Sequence, residues 1–287
     1  MLSFLQYITW DVSPEIFDTE YFSVRWYGLL FALGFLLGQQ ILIYIFKKEG
    51  KPESDVEVLT VYMVLSTIIG ARLGHCFFYE WDYYSQNPIK ILKIWEGGLA
   101  SHGATIGILF ALWLYARKKK DQSYLWIVDR IVITVALAGC LIRLGNLMNS
   151  EIIGKPTDVP WAFVFTSVDK VPRHPAQLYE AITCFILFGF LFWLWNRRKA
   201  KTPEGSLLGI FLIYIFGLRF VYEFLKENQV KFEDELALNM GQILSIPAVL
   251  GGIFVLLIAN RNARKRDALD VAQGAVSSNQ SAVSNRR

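Results

Sequence analysis

Apolar residues along this chain come in long blocks, and charge is concentrated in the short connections between them. About 20 residues of helix, rising ~1.5 Å each, cross a hydrocarbon core ~30 Å thick. With that length as a ruler the sequence predicts seven spans: residues 26–46, 58–79, 99–116, 125–143, 176–195, 206–225 and 240–259. The first carries no charge. The second contains Arg72 and His75, the third only His102, and the fifth Glu180 near its start. The fourth is the weakest, its uncharged part being only 131–142. The sixth holds Arg219 and Glu223, and Pro247 alone interrupts the seventh.

Lysine and arginine in the connections set the orientation of such a chain. The first 24 residues contain neither, but carry Asp11, Glu15, Asp18 and Glu20. Basic clusters follow at Lys47, Lys48 and Lys51, at Arg117 to Lys120, at Arg197, Arg198, Lys199 and Lys201, and at Arg261, Arg264, Lys265 and Arg266. They fall on every second connection, which places the N-terminus outside and the C-terminus in the cytoplasm. The start of the chain lacks the basic segment of a cleavable signal peptide. The longest outer connection, about 145–175, has four prolines and an extended-looking stretch at 161–166, and reads as a small external cap. Another, 81–98, has a short amphipathic piece near 89–95 suited to the membrane interface. The whole is an all-α polytopic membrane protein of seven transmembrane helices over residues 1–266. A polar tail, 267–287, is expected to be disordered.

Composition narrows the function. Hydrophobic residues make up 54% and charged ones 19%, against roughly 45–50% and 25% in soluble domains. That excludes a soluble enzyme, and 15% aromatics exclude a disordered chain. The net charge of +4 is spent on orientation, so nucleic acid is not an expected partner. Cys76, Cys140 and Cys184 all lie in apolar segments and read as small hydrophobes, with no spacing for a disulfide framework or metal site.

Ionisable groups inside spans are expensive and by default mark function. Counting ~1.5 Å per residue puts Arg219 about 9 Å and Arg72 about 10 Å below the outer surface. Tyr27, His102, Arg143 and Glu180 sit at the outer ends of their spans, and Glu223 is one turn from Arg219 on the same face. Each has a plainer reading as well. Arg143 can snorkel to the interface, His102 can cap its helix, and Arg219 with Glu223 can be a structural ion pair. Asp129 and Arg130, at the cytoplasmic end, read as ordinary flank residues, and His75 and His174 as hydrogen-bonded structural residues. Two buried arginines, one histidine and no carboxylate cluster suit an anion rather than a metal, above all a lipid phosphodiester. Guanidiniums around a departing phosphate stabilise its developing charge, and a histidine can deprotonate a nucleophile near neutral pH. A transferase acting on an anionic phospholipid fits. So does a secondary transporter or binding protein for an organic anion, although such sites lie nearer the midplane and use internal repeats.

The segment Arg143-Leu-Gly-Asn146-Leu-Met-Asn149-Ser-Glu151-Ile-Ile-Gly154 resembles the signature of bacterial prolipoprotein diacylglyceryl transferases. Six further motifs follow that family in order: Arg25-Trp-Tyr27-Gly-Leu29, Gly70-Ala-Arg72-Leu-Gly74, Gly97-Gly-Leu-Ala-Ser-His102-Gly103, Arg173-His-Pro-Ala-Gln-Leu-Tyr-Glu180, Gly217-Leu-Arg219-Phe-Val-Tyr-Glu223-Phe and Gly241-Gln-Ile-Leu-Ser-Ile-Pro247. Ile142, Ser150 and Ser101 depart from the usual pattern, and the tail beyond Arg266 lies outside the resemblance. The resemblance implies transfer of diacylglyceryl from phosphatidylglycerol to the lipobox cysteine of a prolipoprotein, in the inner membrane, with the site on the periplasmic side and no cofactor or metal. It implies that Arg143 and Arg219 hold the phosphate, and that His102, helped by Tyr27, is the general base. Asn146, Asn149 and Glu151 would bind the glycerol head group or orient Arg143, and Gly154 would allow a tight turn. Arg72, Glu180 and Glu223 would keep the arginines in place.

Overall fold

The computed structural model of the chain describes residues 7–19, 23–227 and 238–284. Glu20, counted above among the outer acids, lies outside them. Eight α-helices are described: α1 (Trp26–Lys48), α2 (Ser54–Phe78), the short α3 (Trp81–Gln86), α4 (Ser101–Lys118), α5 (Tyr124–Met148), α6 (Ala176–Arg198), α7 (Ser206–Tyr222) and α8 (Met240–Ser284). Among the described residues six helices are long and apolar enough to cross a membrane: α1, α2, α5, α6, α7 with the turn after it, and α8. The remaining expected span, 99–116, is α4. Its 18 residues begin with Ser101 and His102 and end with Arg117 and Lys118, which shortens the apolar stretch. Large apolar side chains such as Leu36, Leu65, Phe110, Phe185, Leu250 and Phe254 are exposed on the helices. Outward apolar faces of this kind belong against lipid, and the chain is a multi-pass membrane protein.

Three sequence readings change. The segment read as the weakest span forms α5, which is buried almost all round from Trp126 to Leu137 and runs through the middle of the core. It looked weak because of Asp129 and Arg130, which are not flank residues: both are fully buried. Arg130 pairs with the buried Glu49 (Nη2 to Oε1, 3.0 Å), which also accepts the indole N–H groups of Trp126 (2.9 Å) and Trp195 (2.6 Å). Asp129 accepts the backbone N–H groups of Gly205 (2.9 Å) and Leu208 (2.8 Å) and so caps the start of α7. The fold is also not purely helical. Strand β1 (Ile8–Trp10) pairs in parallel with β4 (Phe163–Phe165), inside the stretch read as extended, and β4 pairs with β5 (Pro172–Arg173). A small hairpin joins β2 (Glu15–Asp18) to β3 (Ser23–Arg25). Finally, α8 continues to Ser284, so residues 267–284, expected to be disordered, are helical; the segment Ala263 to Ala272 alternates good helix formers with no breaker.

Helices α2 and α4 approach unusually closely because glycines face one another. Gly70 and Gly74 on α2 meet Gly103 and Gly107 on α4. A Cβ on Gly103 would lie 2.3 Å from the Gly70 carbonyl oxygen, and one on Gly107 would lie 2.6 Å from that of Ser66. Small residues four apart on both partners let backbones touch where lipid offers no hydrophobic drive for association. This contact fixes the height of Arg72 and His102, which neighbour those glycines. Gly103→Leu should therefore force the helices apart and cost on the order of 1–3 kcal/mol, read as a lower melting temperature in detergent. Gly28→Ala, where an added Cβ meets nothing within 4 Å, is the matched control and should not lower it. Equal melting temperatures for Gly103→Leu and the parent would refute the close-contact account.

Candidate active site

The C-terminal end of α5 carries Arg143, Asn146 and Asn149 at helical spacing, all turned toward one another's partners. The Arg143 Nη1 donates to Asn146 Oδ1 at 3.4 Å. Asn146 and Asn149 each donate to one oxygen of Glu151, both at 3.2 Å. Glu151 reaches back because the chain reverses after α5: its N–H donates to the Asn146 carbonyl (2.9 Å), and Ser150 and Ile152 hold positive φ angles of 52° and 55°. The tight turn expected at Gly154 is thus made at Ser150 and Ile152. Gly154 serves a different need. It is bridged to Lys226, and a Cβ there would lie 2.5 Å from the His174 carbonyl oxygen and 2.9 Å from that of Leu225.

From Arg143 an unbroken line of charges runs by way of α6 to the end of α7. The Arg143 Nε pairs with Glu180, which projects from the second turn of α6. Glu180 pairs in turn with the ammonium of Lys226. Lys226 also donates to Glu223 Oε1 at 3.2 Å, and Glu223 faces Arg219 Nε at 3.5 Å. Asn239 donates to the other Glu223 oxygen at 3.2 Å, and Gly241 packs flat on the Glu223 carboxyl. The order is therefore Arg143, Glu180, Lys226, Glu223, Arg219: three cations separated by two carboxylates. The middle is dry and the ends are not, since Lys226 is 4% exposed and Arg219 is 44% exposed. With three cations against two carboxylates the line carries a net charge of +1, and a guanidinium at each end suits an anionic ligand.

Tyr27 joins this group from α1. Its backbone lies where a Cβ on Gly145 would be 3.2 Å from its Cα, so only glycine permits the approach, and its phenol is within electrostatic reach of Glu151 and Arg143. Arg72, on α2, and His102, on α4, have separate partners. Arg72 is buried and donates to the carbonyls of Ile91 (3.0 Å), Lys90 (2.6 Å) and Gly97 (2.5 Å), with its guanidinium 5.0 Å from the Tyr84 ring centre. It ties down the connection 88–98, whose side chains Ile89, Leu92 and Trp95 face outward. His102 is exposed at the start of α4, with its ring 5.5 Å from that of Tyr79 and 5.8 Å from that of Phe78. In the connection before α6, His174 Nδ1 meets the Tyr179 hydroxyl at 3.2 Å, and desolvation holds its pKa below the usual histidine value. Arg173 pairs with Asp169 (2.6 Å) and Glu227 (2.8 Å).

The residues brought together are Tyr27, Arg143, Asn146, Asn149, Glu151, Glu180, Arg219 and Glu223. Lys226 was missed in the sequence. A lysine just beyond an apolar span reads as an interface anchor, and only its i, i+3 relation to Glu223 hinted otherwise. Gln177, whose amide donates to the Glu151 carbonyl, was missed as well, having no charge to attract notice.

Known sequences resemble this chain over most of its length. The model of the family described as prolipoprotein diacylglyceryl transferase matches residues 14–258. A phosphatidylglycerol–prolipoprotein diacylglyceryl transferase of Chloroherpeton thalassium is 50% identical over 261 residues, covering 90% of this chain and 96% of that protein. Proteins of the same name from Tolumonas auensis and Bacteroides fragilis are each 47% identical, over 250 and 268 residues; they cover 87% and 89% of this chain and 96% of their own lengths. A match of this extent, spanning every helix that supplies a polar residue to the site, means that the chain belongs to the prolipoprotein diacylglyceryl transferase family.

Proposed function

We propose that this chain transfers the diacylglyceryl group of phosphatidylglycerol to the thiol of the lipobox cysteine in a prolipoprotein. The observation that carries the reading is the line from Arg143 to Arg219, two guanidiniums held by two carboxylates that share the buried ammonium of Lys226. In the reaction a carbon–sulfur bond forms at the terminal glyceryl carbon and the carbon–oxygen bond to phosphate breaks. The electron pair stays on the phosphate oxygen, giving glycerol 1-phosphate, and the thiol proton passes to a base. Arg143 and Arg219 grip the phosphate and stabilise the charge that gathers on it. Asn146, Asn149 and Glu151 orient Arg143 and offer hydrogen bonds to the glycerol head group, while Glu180 and Glu223 hold the guanidiniums. His102, exposed at the head of α4, takes the proton of a thiol whose pKa is about 8.5, with Tyr27 assisting. Arg72 acts at one remove, by fixing the connection beside His102.

In this reading α4 is the seventh span, shielded along one side by α2. The basic clusters support an outer N-terminus, a cytoplasmic C-terminus, residence in the bacterial inner membrane, and a site open to the periplasmic leaflet beneath a cap built on 145–175 and β1. The signal-peptide helix of the acceptor then brings its cysteine to the site from the membrane. Transport of an organic anion is not favoured, since the relatives carry a transferase name.

Four outcomes are expected. Purified protein in phosphatidylglycerol vesicles should add one diacylglyceryl mass to a lipobox peptide; no mass gain, with anion uptake instead, would point to transport. Arg143→Ala and Arg219→Ala should each cut turnover by about 10²–10³-fold or more, and Arg143→Lys should remain poor because a point charge lacks the two-pronged contact. Wild-type turnover in Arg143→Lys would reduce that residue to an interface anchor. His102→Asn should lower turnover by roughly 10²–10⁴-fold at pH 7. The defect should shrink at pH 9, where solvent supplies the thiolate; a deficit unchanged between the two pH values would exclude His102 as the base. A periplasmic reporter fused after Arg266 should be inactive, and strong activity there would overturn the orientation.

A further inference from the structure

Lys226 is the one charged side chain of the outer cluster that neither reaches the exposed ends nor belongs to a helix. It follows α7 and the short turn at 223–225, yet its ammonium is almost fully buried. Its backbone is held from the other side of the site: Gly154 bridges to it, and the Lys155 N–H donates to the Leu225 carbonyl at 2.8 Å. That strand-like contact comes from the reversal after α5, the same segment that carries Glu151. The side chain then divides its charge between Glu180 on α6 and Glu223, each of which holds one arginine.

We propose that Lys226 is a positioning residue that sets the spacing of the two phosphate-gripping arginines. The inference rests on the transferase reading above. Two carboxylates that share a single ammonium repel each other strongly once it is removed, because the surroundings are dry and screening is weak. Each carboxylate would still hold its own arginine, so the guanidiniums would separate together with their partners. Buried ion pairs contribute little net stability compared with apolar packing. A lysine kept here for packing alone has no reason to contact both carboxylates, whereas one that sets a distance must contact both. The groups facing it are Glu180 from α6, Glu223, and, beyond these, Arg143 from α5 and Arg219 from α7. The Arg173–Glu227 pair lies next to it along the chain.

Small displacements of a positioned group cost catalysis heavily, about 10²-fold for 1 Å. In phosphatidylglycerol vesicles with a lipobox peptide, Lys226→Met should lower kcat/KM by ~10²-fold. Lys226→Arg, which keeps a charge able to reach both carboxylates, should recover most of that loss. Glu223→Gln removes one arm of the repulsion, so in that background Lys226→Met should cost far less than it does alone. Independent, multiplying effects of the two substitutions, with losses that follow the melting temperature, would show a structural ion pair and overturn the proposal. So would wild-type kcat/KM in Lys226→Met. If Lys226→Met does not fold, the comparison of Glu223→Gln with Glu223→Gln/Lys226→Met decides in the same way. Absence of transfer by the wild-type protein would instead refute the transferase reading, so the two failures are distinct.

Discussion

A charge removed from water must be compensated where it lies, and inside a membrane protein neither solvent nor lipid can do it. This constraint organises the whole molecule. Every charge buried in the bundle has a partner on a different element, and those partnerships, more than apolar packing, dictate which helix ends meet. Apolar faces determine only that the helices lie together in lipid. Dispersion and small-residue contacts such as Gly70 with Gly103 determine how closely.

Helix α5 shows the principle at both its ends. At one end Arg130 and Asp129 are neutralised by Glu49 after α1 and by the N-terminus of α7, which lock α5 to its neighbours. A second buried set there, Lys119 and Gln122 on Asp55 with Tyr115 on Gln122, joins α2 to α4 in the same manner. At the other end Arg143 is only partly compensated. Glu180 takes its Nε, and that same carboxylate is shared with Lys226. A fully satisfied ionic cluster rigidifies a structure, whereas one that ends in partly exposed guanidiniums suits an anionic ligand. The proposed function gives the two ends of this helix different roles, scaffold at one and site at the other.

The long apolar helices were legible in the sequence because they depend on local facts: length, hydropathy, and which charges interrupt an apolar run. Arg219 with Glu223 could be paired from helical spacing alone, and the ion pair is there. What could not be read depends on contacts between distant segments. Asp129 and Arg130 looked like flank residues because nothing local tells that Glu49 and the Gly205 N–H await them. Lys226 was overlooked because its burial comes from the return of the chain at Gly154, 72 positions earlier in sequence. Gly154 was recognised as special for the wrong physical reason: its missing side chain makes room for two carbonyls rather than for a turn.

The central claim is that one phosphate is held between Arg143 and Arg219 in the outer half of the membrane. An experimental structure of this protein with phosphatidylglycerol bound tests it most directly. The account predicts the lipid phosphate within hydrogen-bonding distance of both guanidiniums, with the Glu180–Lys226–Glu223 chain intact behind them. A phosphate seated elsewhere, with Arg143 still occupied only by Glu180 and Asn146, would contradict it.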